Sequence, residues 1–281
     1  MVFYFSATGN SLYAARYLDE DTVSIPQVIH RKNLTFQAER IGICAPVYGH
    51  EMPQMVKEFI RKATFDTDYL YLILTYGNRH ANAVELAENV LASAGKKAAY
   101  IRTLLMVDNF LPAFDMEQQC RLDKHVDEQL EAIRSDILSG RREIEYVSAA
   151  DRQAHENYLK GVRNQPETVW ASFDFTDTCI GCGICTRVCP AGCIHLEDGR
   201  AVRTGKNCQA CMACIQACPE MAIRMNPVLG FKEPNPNARY RNEHVSLTDL
   251  VRANWQKKET ESISDMTNAV PDDRMREVKY G

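Results

Sequence analysis

The spacing of apolar residues changes along this chain. In the first half, short runs rich in β-branched and aromatic residues fall at 2–5, 22–25, 40–44, 69–74 and 98–107. Between them, apolar positions recur at helical spacing over 12–18, 52–62, 81–94 and 115–138. Strand-length apolar runs alternating with helical periodicity predict an α/β domain with a doubly wound, five-stranded parallel sheet. The expected strand order is 2-1-3-4-5, with ligand loops outside the carboxyl ends of strands one and three, where the winding reverses.

After residue 139 the pattern loosens. Residues 140–172 are charged, begin GRREIEY, carry a helical stretch over 149–160 and turn by Pro166, as a connector would. The arginines there read as one solvated helix face. Alternation around Asp198-Gly199 predicts a hairpin over 194–202 and makes His195 a strand residue. Residues 226–237, rich in Pro and Asn, predict an irregular wrap, and Ser246-x-x-Asp249 opens a short helix reaching 255. Trp170 and Trp255 are expected to anchor these segments. From Lys257 on, the polar tail is expected to be partly disordered. The pattern divides the chain into 1–139, 140–172, 173–225 and 226–281.

Composition adds limits. A chain of 281 residues has room for about two domains. A net charge of −4 provides no basic footprint for nucleic acid or an acidic membrane face. No run approaches membrane-spanning length, and no basic, long apolar leader follows Met1, so a soluble cytoplasmic protein is expected.

Eight of the eleven cysteines stand in two runs, CIGCGICTRVCP and CQACMACIQACP, each C-x2-C-x2-C-x3-C-P. At one constant offset Cys179, Cys182, Cys185, Cys189 and Pro190 become Cys208, Cys211, Cys214, Cys218 and Pro219, and Ile194 becomes Ile223. Three closely spaced thiolates wrap one face of a [4Fe–4S] cluster, and in two-cluster proteins the fourth Cys of each run ligates the other cluster. The expected ligand sets are therefore Cys179, Cys182, Cys185 and Cys218 for one cluster, and Cys208, Cys211, Cys214 and Cys189 for the other. Tetrahedral zinc would leave ligands over, and a disulfide scaffold suits small secreted chains. Thiolate-bound iron calls for a reducing, oxygen-poor compartment. Cys44, Cys120 and Cys193 read as small buried hydrophobes, with Cys193 near enough to a cluster to act beside it.

The first apolar run ends in Ser6-Ala7-Thr8-Gly9-Asn10-Ser11 and continues into a helical pattern. Strand, turn and helix N-terminus together make an anion site. The turn has no Lys after its glycine, and G-x-G-x-x-G is absent from the chain, so neither the NTPase loop nor the dinucleotide fingerprint is present. Its hydroxyls suit the terminal phosphate of a flavin mononucleotide (FMN), and here the chain resembles flavodoxin, whose first loop has the pattern [ST]-x-T-G-[NT]-[ST]. Two more loops then fall where the flavin ring would lie: Pro46-Val47-Tyr48-Gly49 with His50, and Thr75-Tyr76-Gly77-Asn78 with Arg79 and His80. Their glycines allow close approach, Tyr48 and Tyr76 could stack on the ring, and Arg79, His50 or His80 would set positive charge near it.

PVYG, the TYGNR segment and the C-terminal cysteine runs together resemble the flavodoxin–ferredoxin fusion family, found mainly in anaerobic bacteria, over roughly residues 1–250. Asn82-Ala83 stand where that family often has acidic residues, and Cys193 where a small residue is expected. The resemblance implies an N-terminal flavodoxin-like domain, a small α+β two-cluster ferredoxin domain, and an electron-transfer iron–sulfur flavoprotein working between a redox protein donor and acceptor. An FMN-dependent oxidoreductase acting on a small-molecule substrate, and a ferredoxin carrying an empty flavodoxin-like module, are the alternatives. The sequence leaves a homo-oligomer open.

Overall fold

A computed structural model describes residues 1–165, 169–205 and 207–256; the tail from Lys257, expected to be partly disordered, lies outside them. Within the described ranges the chain forms two compact units, Met1–Asp108 with Asp123–Pro166, and Asn109–Leu122 with Glu167–Gly281.

The first unit is built on a parallel sheet. Its strands are β1 (Val2–Tyr4), β2 (Thr22–Ser24), β4 (Arg40–Pro46), β6 (Tyr69–Tyr76), β7 (Tyr100–Leu105) and β8 (Glu143–Ile144), in the spatial order β2-β1-β4-β6-β7-β8. The five expected strands keep their expected order, and the expectation of five is corrected to six. β8 lies inside the stretch read as a connector and pairs in parallel with β7, Tyr100 to Glu143 and Ile101 to Ile144. Two residues are too short to show period-two alternation, so the sequence pattern could not reveal this strand. The central strands β4 and β6 are buried along almost their whole length, because helices cover both faces of a parallel sheet.

Helices α1 (Asn10–Leu18), α2 (Ile25–Val28), α3 (Gln54–Lys62), α4 (Ala83–Ser93), α6 (Val126–Leu138) and α7 (Ala149–Val162) complete this unit. α3 buries Met55, Val56, Phe59 and Ile60 along one stripe. A second parallel pair, β3 (Thr35–Gln37) with β5 (Thr64–Asp66), brings Phe36 and Phe65 to Phe3 and Phe59, with ring centroids 4.5 Å (Phe3–Phe36) and 4.9 Å (Phe3–Phe59) apart. Gly42 in β4 is required because the Tyr71 ring fills the space where a β-carbon would stand.

The helix expected over 115–138 is in fact two. α5 (Met116–Gln119) belongs to the second unit and α6 to the first. Between them the Asp123 carboxylate accepts from the His125 N–H, and His125 takes a left-handed φ of 49°. The polar run Arg121 to His125 has no apolar residue to hold a helical turn against a core except Leu122, which is exposed.

The second unit pairs β10 (Ile194–Glu197) with β11 (Arg200–Arg203) in the expected hairpin. Asp198 and Gly199 are both left-handed, as a two-residue type I′ turn needs. His195 lies in β10. A further antiparallel pair, β9 (Phe173–Phe175) with β12 (Ile223–Met225), joins the two ends of the cysteine-rich segment. The short helices α8 (Ile184–Arg187) and α9 (Ala213–Gln216) each contain the third cysteine of their run, Cys185 and Cys214, and α10 (Leu247–Asn254) opens on the expected Ser246–Asp249 capping box.

Gln216 on α9, 2 % exposed, ties two distant segments to this unit: its Nε2 donates to the Asn109 carbonyl at 3.0 Å and its Oε1 accepts from the Tyr240 N–H at 2.8 Å. Trp170 packs against Phe110 and Phe231, and the Arg187 guanidinium lies over the Trp255 ring.

Candidate cofactor sites

Two cavities in the second unit collect the cysteines of the runs. One, with about 350 Å³ of non-atom space including its open mouth, is lined by Cys179, Cys182 and Cys185 from the first run and Cys218 from the second. The other, about 380 Å³, is lined by Cys208, Cys211 and Cys214 from the second run and Cys189 from the first. Cys193 adds a fifth sulfur there, with its Sγ 3.5 Å from that of Cys189. Each cavity thus draws three sulfurs from one run and one from the other.

The backbone of each run is turned the same way. Gly181, Gly183 and Gly192 have φ of 65°, 71° and 58°, and at the repeated positions Ala210, Met212 and Met221 have 50°, 61° and 48°. A left-handed residue with a β-carbon costs roughly 1–2 kcal/mol. Three repeated positions keep the conformation despite that cost, so the two runs share one backbone path whatever their side chains. Gly181 is held further, because an added β-carbon would collide with the Gly199 carbonyl oxygen of the hairpin turn. Gly181→Ala is expected to lose iron from the first cavity, whereas Ala210→Gly should leave iron content unchanged and raise stability by about 1 kcal/mol. Iron analysis and thermal unfolding of both variants check this.

Backbone N–H groups point at three of the sulfurs. Cys193 N donates to Cys189 Sγ at 3.4 Å, and at the repeated position Ala222 N donates to Cys218 Sγ at 3.2 Å. Ala201 N donates to Cys179 Sγ at 3.5 Å. Such bonds favour the thiolate and tune whatever metal it holds. Burial works the other way, pushing the Cys185 thiol up to about 12 with help from Cys182, Cys218 and Cys179. Burial also raises Cys211 and Cys214. In the second cavity, hydrogen bonding to Cys193 instead lowers Cys189 to about 7 and Cys208 to about 6; where burial raises a thiol, a bound cation would favour the thiolate. Among the described residues no three His, Cys, Asp or Glu side chains are arranged for a single metal ion. Four cysteines from two runs lining each cavity are a donor set that fits a [4Fe–4S] cluster.

Cys44 is wholly buried in β4, and burial raises its thiol. Cys120 ends α5, raised by burial and by Glu243. Cys44 fits the expectation of a buried packing residue, whereas Cys120 is only half-buried.

In the first unit, Ser6 to Gly9 turn from β1 into α1, and Ser6, Thr8 and Ser11 are each at most 2 % exposed. Gly9 caps the helix at a φ of 109°, and the Ser6 hydroxyl accepts from the Gly9 N–H at 3.2 Å. Ser11 Oγ lies 2.8 Å from Thr75 Oγ1, which joins this loop to the end of β6. Asn10 Nδ2 donates to the Val107 carbonyl at 3.0 Å. The first turn of α1 carries no acidic residue. Buried hydroxyls and N–H groups at a helix N-terminus without a carboxylate suit an anionic phosphate, the group by which FMN would be held at this end.

The other two loops lie at the carboxyl ends of β4 and β6. Tyr48 to Glu51 form a tight turn with Gly49 and His50 both left-handed, and Tyr48 meets Phe5 edge-on. Tyr76 meets His80 edge-on at 4.8 Å. At both glycines the missing β-carbon leaves room for a neighbour from the chain itself. The Tyr158 hydroxyl fills the space above Gly49, and the Asp108 backbone that above Gly77. His155 and Tyr158, on the helix read as a connector, sit against this turn. The sequence signal was their separation of three within α7, which places both on one face.

Residues 173–219 match the family model of the 4Fe-4S dicluster domain. Curated relatives match around the same region. One of the subunits of an ion-translocating oxidoreductase complex from Methanosarcina acetivorans is 43 % identical over 47 residues, 17 % of this chain and 18 % of the relative. A component of NADH-quinone oxidoreductase from Pelobacter propionicus is 30 % identical over 92 residues, 28 % of this chain and 46 % of the relative. An iron-sulfur protein from Rhodospirillum rubrum is 33 % identical over 82 residues, 22 % of this chain and 43 % of the relative. The chain spans less than half the length of each. A solved structure titled Trp repressor binding protein from Bacillus subtilis aligns at 12 % identity and a TM-score of 0.32, over 49 % of this chain and 96 % of that one, a likeness too slight to build on. The dicluster match and the iron–sulfur oxidoreductase relatives support iron–sulfur electron transfer. No helix among the described residues is long and apolar enough to cross a membrane.

Proposed function

We propose that this chain relays electrons between two [4Fe–4S] clusters and an FMN, passing them between a redox protein donor and acceptor in a reducing, oxygen-poor cytoplasm. Cys179, Cys182, Cys185 and Cys218 hold one cluster, and Cys208, Cys211, Cys214 and Cys189 the other. Ser6 to Ser11 bind the flavin phosphate, with Pro46 to Gly49 and Thr75 to Asn78 at its ring. The observation that carries the reading is the three-plus-one partition of cysteines between two cavities.

Clusters pass single electrons and a flavin takes one or two, so together they connect one-electron carriers to two-electron chemistry. What the protein supplies is burial around the sulfurs and the N–H groups of Cys193, Ala201 and Ala222, which set the charge that each thiolate can bear. In the first unit, the hydroxyls of Ser6, Thr8 and Ser11 and the N-terminus of α1 supply donors to a phosphate in place of a lysine.

The test is purification without oxygen followed by iron, sulfide and flavin analysis. About eight irons, about eight sulfides and about one flavin per chain are expected. Eight irons without flavin would leave an electron carrier built on the second unit alone, and four or fewer would remove the two-cluster reading.

A further inference from the structure

Unpartnered polar atoms gather at one corner of the first unit. Among the described residues, the buried side-chain atoms without a hydrogen-bond partner include His50 Nδ1, His80 Nδ1, His155 Nδ1 and Asn82 Oδ1. His50 follows β4, His80 and Asn82 follow β6, and His155 projects from α7, so three separate elements contribute. The ring of His50 lies 5.7 Å from that of His155 and 5.0 Å from that of Tyr158, and His80 packs against Tyr76. His155 is 7 % exposed. A buried polar group with no partner costs about 1–3 kcal/mol. Four in one corner mark a place where something else supplies the partners.

The charges around the corner say what that something is. The acids nearby are already engaged: Glu51 with Lys57, Glu85 with Arg152 at 2.8 Å, and Asp151 with the Ser148 hydroxyl at 2.6 Å. With Lys57 and Arg152 held by those acids, the groups left facing one another are the imidazoles and Arg79. Burial comes first in holding His50 down, to about 4, and the positive charges of His155, Arg79 and His80 follow. His155 is lowered by burial and by Lys57. The imidazoles are not arranged to share one metal ion with each other or with any other described residue. The corner therefore offers imidazole N–H donors beside the Arg79 guanidinium.

We propose that His50, His80, His155 and Asn82, with Arg79 at the rim, form a binding site for a small molecule bearing a carboxylate or phosphate oxyanion. The imidazoles donate to the oxyanion, and the Asn82 amide oxygen accepts from an N–H or O–H of the same molecule. The site is separate from the cysteine cavities and stands whether or not FMN is bound.

Side-chain NMR of the intact, anaerobically prepared protein tests it, because the chain has seven histidines and four lie elsewhere. The protein is titrated with inorganic phosphate and, in parallel, with acetate, at constant ionic strength. Saturable shifts are expected at His50, His80 and His155 with at least one of the two anions, and none at His30, His125, His195 or His244; the stronger-binding anion identifies the oxyanion class. His155→Gln should weaken that binding at least about tenfold, with iron content unchanged. His50→Asn, a turn residue replaced by one that tolerates left-handed φ, should do the same and covers the case in which the α7 variant fails to fold. Absence of saturation with both anions, equal response of all seven histidines, or unchanged affinity in a folded variant overturns the proposal.

Discussion

Cys218→Ser is expected to abolish the same cluster signal as Cys179→Ser, although the two residues stand in different runs. Cys218 lines the cavity of Cys179, Cys182 and Cys185, and Cys189 lines the other. A cubane left with three thiolates in a buried nest loses a ligand that water replaces poorly, so each variant should keep about four of about eight irons. Cys189→Ser should spare that signal and remove the other. Anaerobic reductive titration followed by EPR separates the two clusters. If Cys218→Ser and Cys208→Ser remove the same signal instead, the runs ligate independently and the crossed assignment is wrong.

Thr8→Ala is expected to weaken flavin binding by roughly 10–100-fold, the loss of one hydrogen bond to a charged group at about 1.5–3 kcal/mol. Thr8 is 2 % exposed, within a loop whose Ser11 is bonded to Thr75. No lysine stands in the turn, so neutral donors share the phosphate and each carries a large part of the affinity. Iron content should not change, which separates a local loss from misfolding. Fluorescence titration of flavin-depleted protein gives the affinity. Equal affinity in wild type and variant would place the flavin elsewhere or leave the loop without one.

The sequence made legible what local pattern encodes. Long buried strands such as β6, the Asp198-Gly199 hairpin and the Ser246 capping box each carry their instructions within a few residues. The repeat of the cysteine runs is legible for the same reason. What escaped depends on contacts between residues far apart. β8 exists because Glu143 and Ile144 find Tyr100 and Ile101. The break at Cys120 to His125 follows from residues 109–122 packing with the second unit, where Gln216 takes the Asn109 carbonyl. His155 looked like one more position on a solvated helix, and only the turn at His50 shows that its ring is buried. The left-handed backbone at Ala210 and Met212 was equally invisible, since nothing in an alanine or a methionine announces it.

The path of the chain has a consequence for how the protein is made. Residues 109–122 leave the ribosome before α6 and α7, yet the groups that complete their surroundings, Trp170, Gln216 and Phe231, come much later. During synthesis that stretch, with Phe110 and Met116, must wait as a sticky loop while the parallel sheet forms. A nascent chain stalled near residue 165 should therefore bind hydrophobic chaperones more strongly than the finished protein, and neither unit can be moved to another gene as one uninterrupted piece.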